Sequence, residues 1–106
     1  MKIIVITGAS DGIGAEMARQ LARRHGAGVG LVLAARNEDR LQTVAARCTE
    51  LGAQALVVPT DVSQEPACRQ LIATAIAKFG RIDALINNAG MSAQALLEDV
   101  RAEDLA

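Results

Sequence analysis

Short apolar runs alternate with longer stretches of helical periodicity along the whole chain. Ile3-Ile4-Val5-Ile6, apolar and β-branched, reads as a strand buried on both faces. From about Gly12 to Arg24, Ile13, Met17 and Leu21 recur at i, i+4 and i+8, predicting a helix that turns this stripe toward a sheet and ends at Gly26. The stretch Gly26-Ala27-Gly28-Val29-Gly30 reads as a flexible connection. Leu31 to Ala35 predicts a second strand, and Asn37 is placed to cap a second helix beginning at Glu38-Asp39. Leu41, Val44, Ala45, Cys48 and Leu51 share one face of that helix, which stops before Gly52. Gln54 to Val58 is a third strand, closed by Pro59, which cannot donate to a ladder. Ser63 as N-cap, Pro66 in the first turn and a stripe of Leu71, Ile72, Ala75, Ile76 and Phe79 predict a third helix, ended by Gly80. Ile82 to Ile86 is a fourth strand, and Arg101 to Ala106 starts a fourth helix.

Strands alternating with helices through short connections place the chain in the α/β class, as a doubly wound parallel sheet with strand order 3-2-1-4. One domain spans residues 1–106, without linker, repeat or low-complexity tract; 106 residues with 51% apolar composition suit one modest core. Right-handed crossovers put the first two helices on one sheet face and the third on the other, so Cys48 and Cys68 are expected on opposite faces and unpaired. With no C-x-x-C pair and no histidine cluster, neither a zinc site nor a thioredoxin-like motif is available. The single histidine, His25, falls beside Arg23 and Arg24 at a helix C-terminus, where cations interact well with the dipole, and reads as having no chemical role. A net charge of -1 gives no electrostatic case for nucleic acid or an anionic membrane as partner. The opening run is too short for a signal peptide or a membrane span, so a cytoplasmic location is expected.

The chemistry gathers at the carboxyl ends of the strands, where an open parallel sheet binds ligands between strands one and four. Gly8, Gly12 and Gly14 follow the first strand and open onto the first helix, a geometry that brings backbone N–H groups and a positive dipole end to a phosphate. Their G-x-x-x-G-x-G spacing matches neither G-x-G-x-x-G nor the P-loop, which disfavours a nucleoside-triphosphate site. Arg36 ends the second strand where an acid would grip a ribose 2′-hydroxyl; an arginine there can pair with a 2′-phosphate, pointing to NADP over NAD. The missing acid also disfavours a methyltransferase. Asp61-Val62 follows the third strand and Asn87-Asn88-Ala89-Gly90 the fourth. Asn87 is expected to tie strand ends together through side-chain hydrogen bonds, and Asp83 to be structural.

Thr7-Gly8-x-x-x-Gly12-x-Gly14, with Asp61-Val62 and Asn87-Asn88-Ala89-Gly90 following in order, resembles the short-chain dehydrogenase/reductase family across essentially all of the chain, though only the first part of such a protein. The resemblance implies a Rossmann-type fold and an NADP site built from Gly8, Ser10, Asp11, Gly12, Ile13, Gly14, Arg36, Asp61, Val62, Asn88, Ala89 and Gly90. Ser10 would join Arg36 on the 2′-phosphate, Asp61 would accept from the adenine amine with Val62 against the ring, and Asn88-Ala89-Gly90 would run past the ribose. Asp11 stands where many NADP-using members carry a second basic residue. The implied activity is hydride transfer between nicotinamide and a small-molecule carbonyl or alcohol, by a protein that is a homo-oligomer at full length.

The family's catalytic tyrosine and lysine are missing from this stretch. The chain has no tyrosine, and its lysines are Lys2 and Lys78, neither in a Y-x-x-x-K arrangement. No residue is assigned a catalytic role, and Ser92 reads as an ordinary loop serine. The expectation is therefore a cofactor-binding portion of an incomplete sequence, with its catalytic residues beyond Ala106 and no activity by itself. Its fourth strand would be an uncovered apolar edge, giving marginal stability and aggregation; a monomeric chain with a cooperative melt would contradict this. The alternative is a non-catalytic NADP(H)-binding sensor. A Y-x-x-x-K roughly 50 to 70 residues downstream would favour the enzyme.

Overall fold

The computed structural model describes residues 1–88. Its strands are β1 (Lys2–Thr7), β2 (Val29–Ala35), β3 (Gln54–Pro59) and β4 (Ala84–Asn87), and its helices α1 (Gly12–His25), α2 (Glu38–Glu50) and α3 (Glu65–Phe79). All strand pairings are parallel and the order is β3-β2-β1-β4, the doubly wound arrangement expected from the alternating pattern. The fourth helix expected from Arg101, and Ala89, Gly90 and Ser92, lie outside the described residues.

Period-two alternation on the central strands sorts the core into two layers. Ile4 and Ile6 of β1 and Leu31 and Leu33 of β2 face Ala15, Ala18 and Ala22 of α1 and Leu41, Val44 and Cys48 of α2. Ile3 and Val5 of β1 and Val32 and Ala34 of β2 face Cys68, Leu71, Ile72 and Ala75 of α3. Cys48 and Cys68 therefore sit in opposite layers, and both are free. Each large apolar side chain fully buried on β1 or β2 stabilises the fold by about 1.5–3 kcal/mol, so the two strands that lead into Gly8 and Arg36 are the best anchored.

Three local expectations are corrected. The buried face of α1 is Gly14, Ala15, Ala18 and Ala22, while Ile13 is 70% exposed. The helix start presses so closely on the end of β1 that only small residues fit between them. Leu21 packs against the edge of that core as expected of it, and with Met17 it borders a groove of about 170 Å³ beside Ile86 of β4. Gly26–Gly28 is a single 3₁₀ turn, and Val29 and Gly30 already belong to β2. The glycine lets neighbouring side chains close over the strand: a Cβ on Gly30 would stand 2.8 Å from Ile3 Cδ1 and 3.1 Å from the Phe79 ring, and both would have to shift. Finally, α3 starts after Gln64, because the Ser63 hydroxyl is spent on Asp61 instead of capping the helix. The cap expected of Asn37 does form, with its Oδ1 accepting from the Arg40 N–H at 3.0 Å.

Asp83 has the structural role expected of it. Its N–H donates to the Ile3 carbonyl and its Oδ2 accepts from the Ile3 N–H, both at 2.8 Å, extending the β1·β4 ladder by one side chain. The Ile3 N–H, with the Arg81 guanidinium paired beside it, holds the Asp83 carboxyl below the usual carboxylate range. A lowered folded pKa contributes stability that is present above the unfolded value, about 3.9, and lost as pH falls through the folded value. Asp83→Ala is expected to lower stability by about 0.5–1 kcal/mol at neutral pH, after allowance for solvent screening. Denaturant melts should show that difference closing as the solution is acidified below the usual carboxylate range. A difference that persists unchanged into strong acid would remove the carboxylate from the account.

Candidate cofactor site

Four strand ends reach the same sheet edge, and backbone hydrogen bonds hold three of them in register. Ala9, fully buried just past β1, donates its N–H to the Ala34 carbonyl at 3.1 Å. Past β3, the Thr60 N–H reaches the Ala35 carbonyl at 2.8 Å, and the Thr60 hydroxyl turns back to the Val58 carbonyl at 2.8 Å. Between β1 and β4 the buried Thr7 hydroxyl donates to Asn87 Oδ1 at 2.8 Å, the strand-end tie expected of Asn87. Asn88 Nδ2 approaches the Gly8 carbonyl at 3.4 Å.

Gly14 sets how closely α1 approaches that edge. A Cβ there would fall 2.2 Å from the Gly8 carbonyl oxygen and 3.0 Å from Asn88 Nδ2, so no other residue fits without moving backbone. Gly12 differs: its φ of +56° favours glycine, and a Cβ would meet nothing within 4 Å. The turn thus leaves open space in front of the helix start.

Electrostatics distinguish α1 from α2. Helix α2 begins with a side-chain cap from Asn37 and two acids, Glu38 and Asp39, in its first turn. Helix α1 has no acid in its first turn and no side-chain cap, although its N-cap residue is Asp11. Its opening N–H groups, carrying roughly half a positive charge of dipole between them, are left without side-chain acceptors. The Asp11 carboxylate is instead paired with Arg40 of α2, Oδ2 to Nη1 at 2.8 Å.

A groove of about 300 Å³ is lined by Gly8, Ala35, Arg36, Thr60, Asp61, Val62 and Ser63. Asp61 Oδ1 accepts from the Ser63 hydroxyl at 2.6 Å and from the Ser63 N–H at 3.0 Å. Those two bonds, reinforced by the Arg36 guanidinium, hold the carboxyl below the usual range, so at neutral pH Asp61 is an acceptor. Its Oδ2 has no protein donor among the described residues. Of the residues expected at the site, Gly8, Arg36, Asp61 and Val62 share this groove. Ser10, Asp11, Gly12, Ile13 and Gly14 form the adjoining turn and helix start, and Asn88 closes on Gly8; Ala89 and Gly90 lie outside the described residues.

Sequence reasoning missed Thr60, Ser63 and Arg40. Ser63 carried a legible signal, since a serine two residues after an aspartate is a common Asx-turn partner. Arg40 carried none, because its partner is 29 positions away. Among the described residues no cluster of His, Cys, Asp or Glu could hold a metal ion, and no helix is long and apolar enough to cross a membrane.

Known proteins share this fold. The family described as short chain dehydrogenase matches residues 2–106. The chain is 46% identical over 99 residues to the 11-beta-hydroxysteroid dehydrogenase-like 4A of Arabidopsis thaliana, covering 92% of this chain but only 32% of that relative. Among solved structures, L-sorbose reductase from Gluconobacter frateurii, complexed with NADPH and L-sorbose, superposes with a TM-score of 0.77 at 37% identity, over 85% of this chain and 34% of the other. An NAD+-bound xylitol dehydrogenase superposes with a TM-score of 0.73 at 31% identity, over 79% of this chain and 31% of the other.

Proposed function

Because the chain belongs to the short-chain dehydrogenase/reductase family, we propose that this sheet edge is the NADP(H)-binding portion of an oxidoreductase acting on a small carbonyl or alcohol. The observation that carries this reading is the convergence of three complementary groups on one edge: an uncapped helix start, an arginine at the end of β2 and an ionised acceptor after β3. A pyrophosphate suits the first, a 2′-phosphate the second and the adenine amine the third. The groove beside Arg36 and Asp61 is at the small end of ligand pockets, which fits an adenosine moiety better than a whole dinucleotide. Ser10 adds a hydroxyl to the phosphate end, and the exposed Ile13 offers apolar surface at the start of α1.

When bound, the nicotinamide supplies the hydride chemistry. The residues of this chain bind and orient, and none is assigned a role on the substrate: the sequence lacks tyrosine, and the Asp61 carboxyl is held below its usual range as an acceptor. The catalytic groups are assigned to sequence outside these 106 residues. A full-length protein containing this chain is expected to consume NADPH in the presence of a small carbonyl, with NADH a poorer donor, while the 106-residue chain alone shows no turnover. Binding without turnover by the full-length protein across a broad panel of carbonyls and alcohols would favour a sensor. Turnover with NADH in clear preference to NADPH would contradict the cofactor assignment.

A further inference from the structure

Aspartate is among the strongest N-capping residues, and Asp11 occupies the N-cap of α1 with extended backbone, φ -159° and ψ -179°. Its side chain nevertheless caps nothing. It reaches across 29 residues to the guanidinium of Arg40, 2.8 Å away. Both partners are well exposed, 62% for Arg40 and 67% for Asp11, so the pair adds little to stability. Its consequence is positional. A carboxylate folded onto the α1 start would occupy the N–H groups and neutralise the dipole end that an anion would use. No other acid lies in the first turn, so Asp11 is the side chain that could close the helix start.

We propose that Arg40 is a positioning residue for the cofactor: by drawing Asp11 aside, it keeps the opening N–H groups of α1 available to the pyrophosphate. The inference rests on the dinucleotide reading above and adds that Asp11 is a competitor held in check, not a ligand. Arg40 acts through Asp11, so its effect is shared by NADPH and NADH, which carry the same pyrophosphate. Arg36, in contrast, distinguishes the two.

Calorimetric titration of both cofactors into the full-length protein separates these roles. Arg40→Gln is expected to weaken NADPH and NADH alike, by about fivefold, the usual strength of a side-chain cap. Arg40→Lys, which keeps a cation within reach of Asp11, is expected to retain affinity. The double variant Asp11→Ala with Arg40→Gln is expected to return within about twofold of wild type, because no competing carboxylate remains. The thermal midpoint of Arg40→Gln should not fall, since the exposed pair adds little to stability and the released carboxylate caps the helix; a merely structural ion pair would leave affinity alone. Unchanged affinity in Arg40→Gln, a loss confined to NADPH, or a double variant as weak as Arg40→Gln would each overturn the proposal. A wild-type protein that binds neither cofactor would instead overturn the dinucleotide reading beneath it.

Discussion

Gly14→Ala is expected to destabilise the protein by about 3 kcal/mol, the upper part of the range for forcing an extra group into a packed site. In an exposed helix the same change would stabilise by about 1 kcal/mol, because alanine is the better helix former. The sign reverses here because the new Cβ would sit 2.2 Å from the Gly8 carbonyl oxygen and 2.8 Å from its carbon, atoms of backbone that no rotamer change can move. For a domain of this size the thermal midpoint should drop by more than about 10 °C. Whatever remains folded must lift α1 away from β1, opening the turn proposed to hold the pyrophosphate, so cofactor affinity should fall with it. Gly12→Ala is the informative contrast: its Cβ has room, and its cost is the positive φ alone, about 1–2 kcal/mol. A Gly14→Ala protein that melts with wild type would mean that α1 does not press on Gly8.

The second large effect concerns Arg36. Replacing it by alanine is expected to cost about 1.5–3 kcal/mol of NADPH binding, roughly tenfold or more in affinity, and to leave NADH nearly untouched. Arg36 follows β2 directly, lines the groove with Asp61, and has a guanidinium whose fork matches a phosphate. It is exposed, so the advantage should shrink as salt is raised. An Arg36→Ala protein that still prefers NADPH tenfold would place the 2′-phosphate elsewhere.

How much of this could be read from the chain depends on the range of the forces involved. Strand order and the two-layered core were legible because apolar runs, helical stripes and right-handed crossovers are local or generic, and they put Cys48 and Cys68 on opposite faces as expected. The strand-end positions of Gly8, Arg36, Asp61 and Asn88 followed from topology in the same way. What escaped was set by tertiary contact. The large apolar stripe of α1 misled because close approach at Gly14 selects alanines for the inner face and leaves Ile13 outside. Gly30 looked like a loop residue because its reason for being glycine, the Ile3 side chain and the Phe79 ring, lies far away in sequence. The pairing of Asp11 with Arg40 was equally hidden, because Arg40 belongs to another helix.

If these strand ends act as one dinucleotide site, NADPH titrated into the full-length protein should move a defined set of backbone amide resonances. Saturable shifts are expected at Gly8 to Gly14, at Arg36, at Asp61 to Ser63 and at Asn88, with those near Arg36 much reduced when NADH replaces NADPH. Saturable binding that shifts amides elsewhere and leaves the α1 start and Asp61 unmoved would contradict a dinucleotide site at these strand ends.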